Sequence, residues 1–154
     1  MSGHTDNAIV INAPMDVVWD ITNDVENWSS LFSEYSISEI IEQRGETVRF
    51  RLALHPDENG IVWSWVSERT TDPESRTVRS ARVETGVFKY MSLFWEYTQE
   101  ADGVRMRWVQ DFEMKPIAPI NDEQMTARLN TNTAIQMQLI KEKVEAAAAL
   151  KLAS

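Results

Sequence analysis

Between Ser36 and Met114 the chain is a succession of short alternating segments, cut by turn signals at Gln43-Arg44-Gly45, Pro56-Asp57-Glu58-Asn59-Gly60, Asp72-Pro73-Glu74 and Ala101-Asp102-Gly103. A stretch from Asn121 to Leu150 without a helix breaker follows. That order constrains the fold strongly. An antiparallel meander must curl to bury one face, and a helix spanning about 45 Å at 1.5 Å per residue is the element available to cover it.

Ahead of the meander, residues 5–12 read as a strand, and Ala13-Pro14 starts a helix that turns Val17, Val18, Trp19 and Ile21 inward. Asn23-Asp24 interrupts it. Val25, Trp28, Leu31, Phe32 and Tyr35 then recur at three- and four-residue spacing and predict a second short helix. The expected class is α+β: a curved, seven-stranded antiparallel sheet wrapped around a long C-terminal helix, with two short helices after the first strand and a cavity inside. No linker or repeat divides the 154 residues, so 1–154 is read as one domain.

Composition removes several function classes. The net charge of −9 argues against a phosphate-backbone binder. There is no cysteine, and His4 and His55 stand alone, so no metal site is expected. No apolar run approaches the ~18 residues of a membrane span, and Met1-Ser2-Gly3-His4 does not resemble a secretion signal, so a cytoplasmic protein without membrane contact is expected.

The candidate site starts at Trp63-Ser64-Trp65-Val66-Ser67-Glu68-Arg69. Strand alternation puts Trp63, Trp65, Ser67 and Arg69 on one face, which combines two indoles with a cation that a dry core does not accept unpaired. The alternative is a strand whose tryptophans lie under a helix while Arg69 reaches water. In the final strand Val104, Met106, Trp108, Gln110, Phe112 and Met114 share a face, and before it Leu93, Trp95 and Tyr97 do the same. The apolar stripe of the long helix (Met125, Leu129, Ile140, Val144) is broken by Thr133 and Gln136. They read either as cavity lining or as wetted positions at the stripe's edge. Six tryptophans exceed ordinary core filling and suit a flat, largely unsaturated ligand.

Ordered fragments along nearly the whole chain carry a resemblance. They include Val18-Trp19-Asp20, Leu31-Phe32-Ser33-Glu34-Tyr35, Val62-Trp63-Ser64-Trp65-Val66-Ser67, Arg82-Val83-Glu84-Thr85-Gly86, Met106-Arg107-Trp108 and Met114-Lys115-Pro116. The chain resembles the START-like helix-grip proteins, and among them the bacterial aromatic polyketide aromatase/cyclases of the tetracenomycin and spore-pigment type. The resemblance implies an enzyme of type II polyketide synthase pathways, in antibiotic or spore-pigment biosynthesis, that folds a linear poly-β-ketone held on an acyl carrier protein. Regiospecific aldol cyclisation, dehydration and aromatisation of the first ring or rings would follow, without a cofactor, in a monomer that meets the carrier protein and synthase transiently. It also implies a pocket of Arg69, Tyr35, Trp28, Trp63, Trp65, Ser67, Arg82, Phe88, Met91, Trp95, Trp108 and Gln110. At the position of Gln136 the resemblance implies an asparagine, so the longer amide here narrows the cavity floor or moves a hydrogen bond.

Aldol closure shifts charge onto oxygen at each step. Arg69, which holds its proton, is expected to stabilise the enolate or alkoxide. Tyr35, its pKa lowered by a neighbouring cation, is expected to donate or relay a proton. Arg82 could instead pair with Glu84 or Glu68, and Gln110 could serve only backbone groups. Carrier docking would use a cluster such as Arg44, Arg49 and Arg51. The rival function is a non-catalytic carrier of lipids or other hydrophobic ligands, in which Arg69 meets a ligand acid.

Overall fold

The computed structural model of the chain describes residues 2–153. Strand β1 (Gly3–Ile11) passes through Ala13-Pro14 into α1 (Met15–Thr22), followed by a 3-10 turn (Val25–Asn27) and the single-turn α2 (Trp28–Leu31). Six strands come next: β2 (Tyr35–Arg44), β3 (Thr47–Leu54), β4 (Ser64–Asp72), β5 (Thr77–Arg82), β6 (Phe88–Glu100) and β7 (Gly103–Met114). Helix α3 (Asp122–Ala153) ends the chain. The strands form one antiparallel sheet in the order β1-β7-β6-β5-β4-β3-β2, so the first strand pairs with the last and β1 and β2 are its edges.

The alternation of β7 decides which face is inside. Val104, Met106, Trp108, Phe112 and Met114 are buried, while Arg105 and Asp111 are exposed. The β6–β7 register places Trp95 opposite Trp108, which brings two indoles together at mid-sheet. The hairpin joining those strands needs Gly103: its φ is +142°, and a Cβ there would stand 2.2 Å from the carbonyl oxygen of Ile11.

Helix α3 begins with a reciprocal capping box. Asn121 Oδ1 accepts from the Gln124 backbone N–H at 2.8 Å, and Gln124 Oε1 accepts from that of Asn121 at 2.9 Å. One face of the helix buries Met125, Thr133, Gln136, Met137, Ile140, Val144 and Ala148. Thr133 and Gln136 are therefore inside, and the reading that set them at a wetted edge is overturned.

The second helix is shorter than the spacing from Val25 to Tyr35 suggests. Phe32 adopts an extended conformation (φ −95°, ψ 136°) that stops α2, and Tyr35 already belongs to β2. Trp28, Phe32 and Tyr35 still converge: their ring centroids lie 5.0 to 6.3 Å apart.

Between sheet and helix the rings lie against one another: Trp95 and Trp108 stack at 4.5 Å, Trp28 stacks on Trp95 at 5.7 Å, and Phe32 on Trp108 at 5.9 Å. Two shallow recesses lie outside this cluster, along α3 at Arg128, Thr131 and Ile135 and between Pro14 and Glu145. The large aromatic rings that would wall an open chamber collapse onto one another instead, which buries more apolar surface.

Candidate functional site

The inner face of β4 carries Trp65, Ser67 and Arg69 in the phase that alternation requires. Arg69 is 3% exposed, so the reading in which it reaches water is overturned. Its guanidinium carbon lies 4.9 Å from the ring centroid of Trp28 and 5.0 Å from that of Trp95. No carboxylate stands within ion-pair distance among the described residues, and Nη2 has no hydrogen-bond partner among them. Burial pulls the Arg69 pKa down to about 10, well below the ordinary arginine value, with the nearby Tyr97 phenol acting the other way. Among the described residues the cation lies against two indole faces and has no carboxylate beside it.

Two further donors share this condition. Trp95 Nε1 and Trp108 Nε1 are buried without an acceptor among the described residues. The other central indole differs, because Trp28 Nε1 donates to the Thr22 carbonyl at 3.1 Å. Within one aromatic cluster the fold therefore presents three buried donors that lack acceptors. A buried donor left unsatisfied costs about 1–3 kcal/mol.

Tyr35 is half-buried, stacked on Trp28 at 6.3 Å and edge-on to Trp65 at 6.2 Å. Burial first, then the adjacent Glu34 carboxylate, push its hydroxyl well above the ordinary pKa of 10, while Arg82 pulls it down. The expected lowering by a cation is thus outweighed, and Tyr35 stays protonated at neutral pH. Glu34 is itself raised above 4.5 by burial, and its Oε2 accepts from Asn132 Nδ2 at 2.8 Å.

Arg82 does not form the ion pairs considered for it. Arg51 binds Glu84 through both terminal nitrogens at 3.2 Å, and Arg49 binds Glu68 at 3.0 Å. The Arg82 guanidinium instead lies 4.1 Å from the Trp65 centroid and 4.6 Å from that of Phe88. Arg44 pairs with Glu42, so each arginine of the suggested docking cluster already has a carboxylate partner.

Trp63 is the site candidate that the structure places elsewhere. It precedes β4, is 46% exposed, and its Nε1 donates to Asp57 Oδ2 at 3.0 Å. Asp57 Oδ1 also accepts from the backbone of Asn59 and Ile61, so this carboxylate organises the β3–β4 loop and draws the indole out of the strand's alternation. Ser67 is buried on the inner face. Phe88 and Met91 sit in a second cluster with Phe112, Met114 and Met125. Gln110 Oε1 accepts from the buried Thr5 hydroxyl at 2.9 Å, a side-chain rather than backbone partner. Thr133 is buried on α3. Gln136 uses both ends of its amide on Ser33, accepting from the backbone N–H at 3.0 Å and donating to Oγ at 2.8 Å. The side chain ties α3 to the segment bearing Phe32, Glu34 and Tyr35.

Sequence reasoning left Tyr97 out of the site. It is buried, its hydroxyl lies 2.7 Å from Thr22 Oγ1, and burial raises its pKa to about 12 against the pull of Arg69. Its place on the face of Leu93 and Trp95 was the available signal. Arg69 thus acts electrostatically on Tyr97 and Arg82 on Tyr35, so Arg82 is the neighbouring cation of Tyr35.

A curved antiparallel sheet gripping one long helix is the helix-grip, START-like fold. The chain belongs to the polyketide cyclase/dehydrase and lipid transport family, whose model matches residues 11–135. It is 57% identical over 145 residues to a Streptomyces cyaneus protein assigned as a polyketide cyclase, covering 94% of this chain and 95% of that one. The Zhui aromatase/cyclase of Streptomyces sp. R1128 shares its fold with a TM-score of 0.82 at 21% identity, covering 94% of each chain. A START superfamily protein of Mycobacterium smegmatis does so with a TM-score of 0.71 at 11% identity, covering 96% of this chain and 97% of that one. At those identities the solved structures speak to fold alone.

Proposed function

We propose that this protein is a polyketide aromatase/cyclase that takes a carrier-protein-bound poly-β-ketone into the aromatic cluster and directs its first aldol closure and aromatisation. The observation that carries the reading is the set of acceptor-less donors: Arg69 Nη2, Trp95 Nε1 and Trp108 Nε1, all buried among ring faces. A poly-β-ketone offers many acceptors, no strong donors and flat conjugated segments once enolised, which complements that set. Family membership and the Streptomyces cyaneus relative support the same substrate class.

The methylene between two ketones loses a proton to water, its carbon attacks a distant carbonyl, and the π electrons of that carbonyl move to oxygen as the new carbon–carbon bond forms, which leaves an alkoxide. Arg69 and the indole N–H groups stabilise the enolate and alkoxide oxygens in a site screened from water. Tyr35, kept protonated by burial and by Glu34, supplies the proton that turns the alkoxide into a hydroxyl, and loss of water then gives the aromatic ring. Much of the rate comes from holding one near-attack conformer between rings. Entry requires the stacked indoles to separate. The uncompensated donors lower the cost of that opening, because the ligand satisfies them.

The test is to reconstitute the chain-building synthase with and without this protein and identify the products. The reading requires a mixture of spontaneous closures to converge on one cyclised product. An unchanged mixture, together with tight binding of stable apolar ligands, would make the protein a carrier, the other function in the family's description.

A further inference from the structure

The inner face of the sheet holds two guanidinium groups, and one of them reaches solvent. Arg82 stands directly opposite Ser67 in the β4–β5 pairing, and Arg69 stands opposite Ser80, two residues away along each strand. Both arginines therefore face inward, on levels about 7 Å apart at 3.3–3.4 Å per residue. Arg69 is sealed, whereas Arg82, at the end of β5, is half-buried. Between those levels the interior passes from core to water, so Arg82 marks where a ligand's outer end would lie.

Arg82 is also fixed and uncompensated. Trp65 and Phe88 hold it by their ring faces, and the β5–β6 turn lies against it, since a Cβ at Gly86 would be 3.9 Å from its Nη1. The nearby carboxylates Glu84 and Glu68 are occupied by Arg51 and Arg49. Tyr35, its electrostatic neighbour, is neutral at pH 7. In a chain of net charge −9, a half-buried planar cation without an anion is positioned for one brought by a ligand.

We infer that Arg82 is a carboxylate-recognition site at the outer end of the interior, so that the protein binds polycyclic or polyketonic free acids with their rings among the indoles and their carboxylate on Arg82. This rests on the interior being the ligand site proposed above, and extends it from carrier-bound thioesters to the acids that thioester hydrolysis releases. Two parallel N–H···O bonds from a guanidinium held by aromatic faces would read a carboxylate and not its neutral ester.

The experiment compares anthraquinone-2-carboxylic acid with its methyl ester at pH 7, using quenching of tryptophan fluorescence. The acid should bind about ten-fold tighter than the ester, the scale of a hydrogen-bonded charge pair. Arg82→Gln should bring that ratio to about one, and Arg82→Lys should keep part of it. The ester's affinity reports in each variant whether the fold and the aromatic site are intact. Equal binding of acid and ester by the unmodified protein overturns the proposal, as does a preference that survives Arg82→Gln and disappears in Arg69→Gln. If neither compound binds, the interior site itself fails, and the role of Arg82 with it.

Discussion

Replacing Arg69 by methionine should make the protein more stable and abolish directed cyclisation. The arginine is 3% exposed, has no ion-pair partner among the described residues, and burial lowers its pKa to about 10 from the ordinary arginine value. A depression of that size corresponds to a penalty of roughly 3 kcal/mol for keeping the group charged in the fold at neutral pH. Cation–π contact with Trp28 and Trp95 returns about 2 kcal/mol. Methionine fills a similar volume, and its sulfur–aromatic contacts recover about 1 kcal/mol against the same rings. The balance favours Arg69→Met by roughly 1–2 kcal/mol, a rise in Tm of about 2–8 °C for a domain of this size. The pH dependence has a definite sign. Between about 10 and the higher ordinary arginine value the unfolded chain holds a proton on this arginine that the folded chain has released, so the arginine's penalty is relieved as pH rises through that window. The advantage of Arg69→Met should accordingly shrink above pH 10. Thermal and urea unfolding at pH 7 and pH 11 measure both effects. A variant less stable than the parent by 1 kcal/mol or more would refute the reasoning, because Arg69 would then be a structural cation and not one held at a cost for ligand.

Glu34→Gln should raise Tm at pH 7, because burial pushes this carboxyl above its ordinary 4.5 and the ionised form is disfavoured in the fold. The gain should vanish below pH 4.5, where native Glu34 is protonated, and a lower Tm at pH 7 would show that the charge is favourable there. Gln136→Leu removes both bonds to Ser33 and should cost about 1–2 kcal/mol. It should also scatter the cyclised products by releasing the segment that carries Tyr35, and an unchanged product profile would reduce Gln136 to packing.

What the sequence made legible followed from periodicity and local chemistry. The alternation of β7 placed Trp108 inside, the phase of Trp65, Ser67 and Arg69 proved right, and Asn121 with Gln124 marked the start of α3. Trp63 was misplaced because the same alternation was carried past the strand's start, where Asp57 organises a loop through three hydrogen bonds. Extrapolating a period cannot reveal where a side chain captures the backbone. The stacking of Trp28, Trp95 and Trp108 was likewise hidden, since whether indoles wall a chamber or stack on each other depends on their rotamers. For Tyr35 burial comes first and the carboxylate of Glu34 beside it second, and together they outweigh Arg82. Tyr97 was assigned to the inner face but not to the site, because the link from Thr22 to Tyr97 crosses 75 residues of sequence.

The central claim is that the buried donors of the aromatic cluster await the oxygens of a ligand. Indole ¹⁵N–¹H resonances of Trp95 and Trp108 report this directly during titration with a stable polyketone mimic and, separately, with a polycyclic hydrocarbon of the same outline. Both N–H signals should move downfield with the oxygenated ligand and not with the hydrocarbon, while that of Trp63, bonded to Asp57, stays in place. Equal responses to the two ligands, or a response confined to Trp63, would contradict the account.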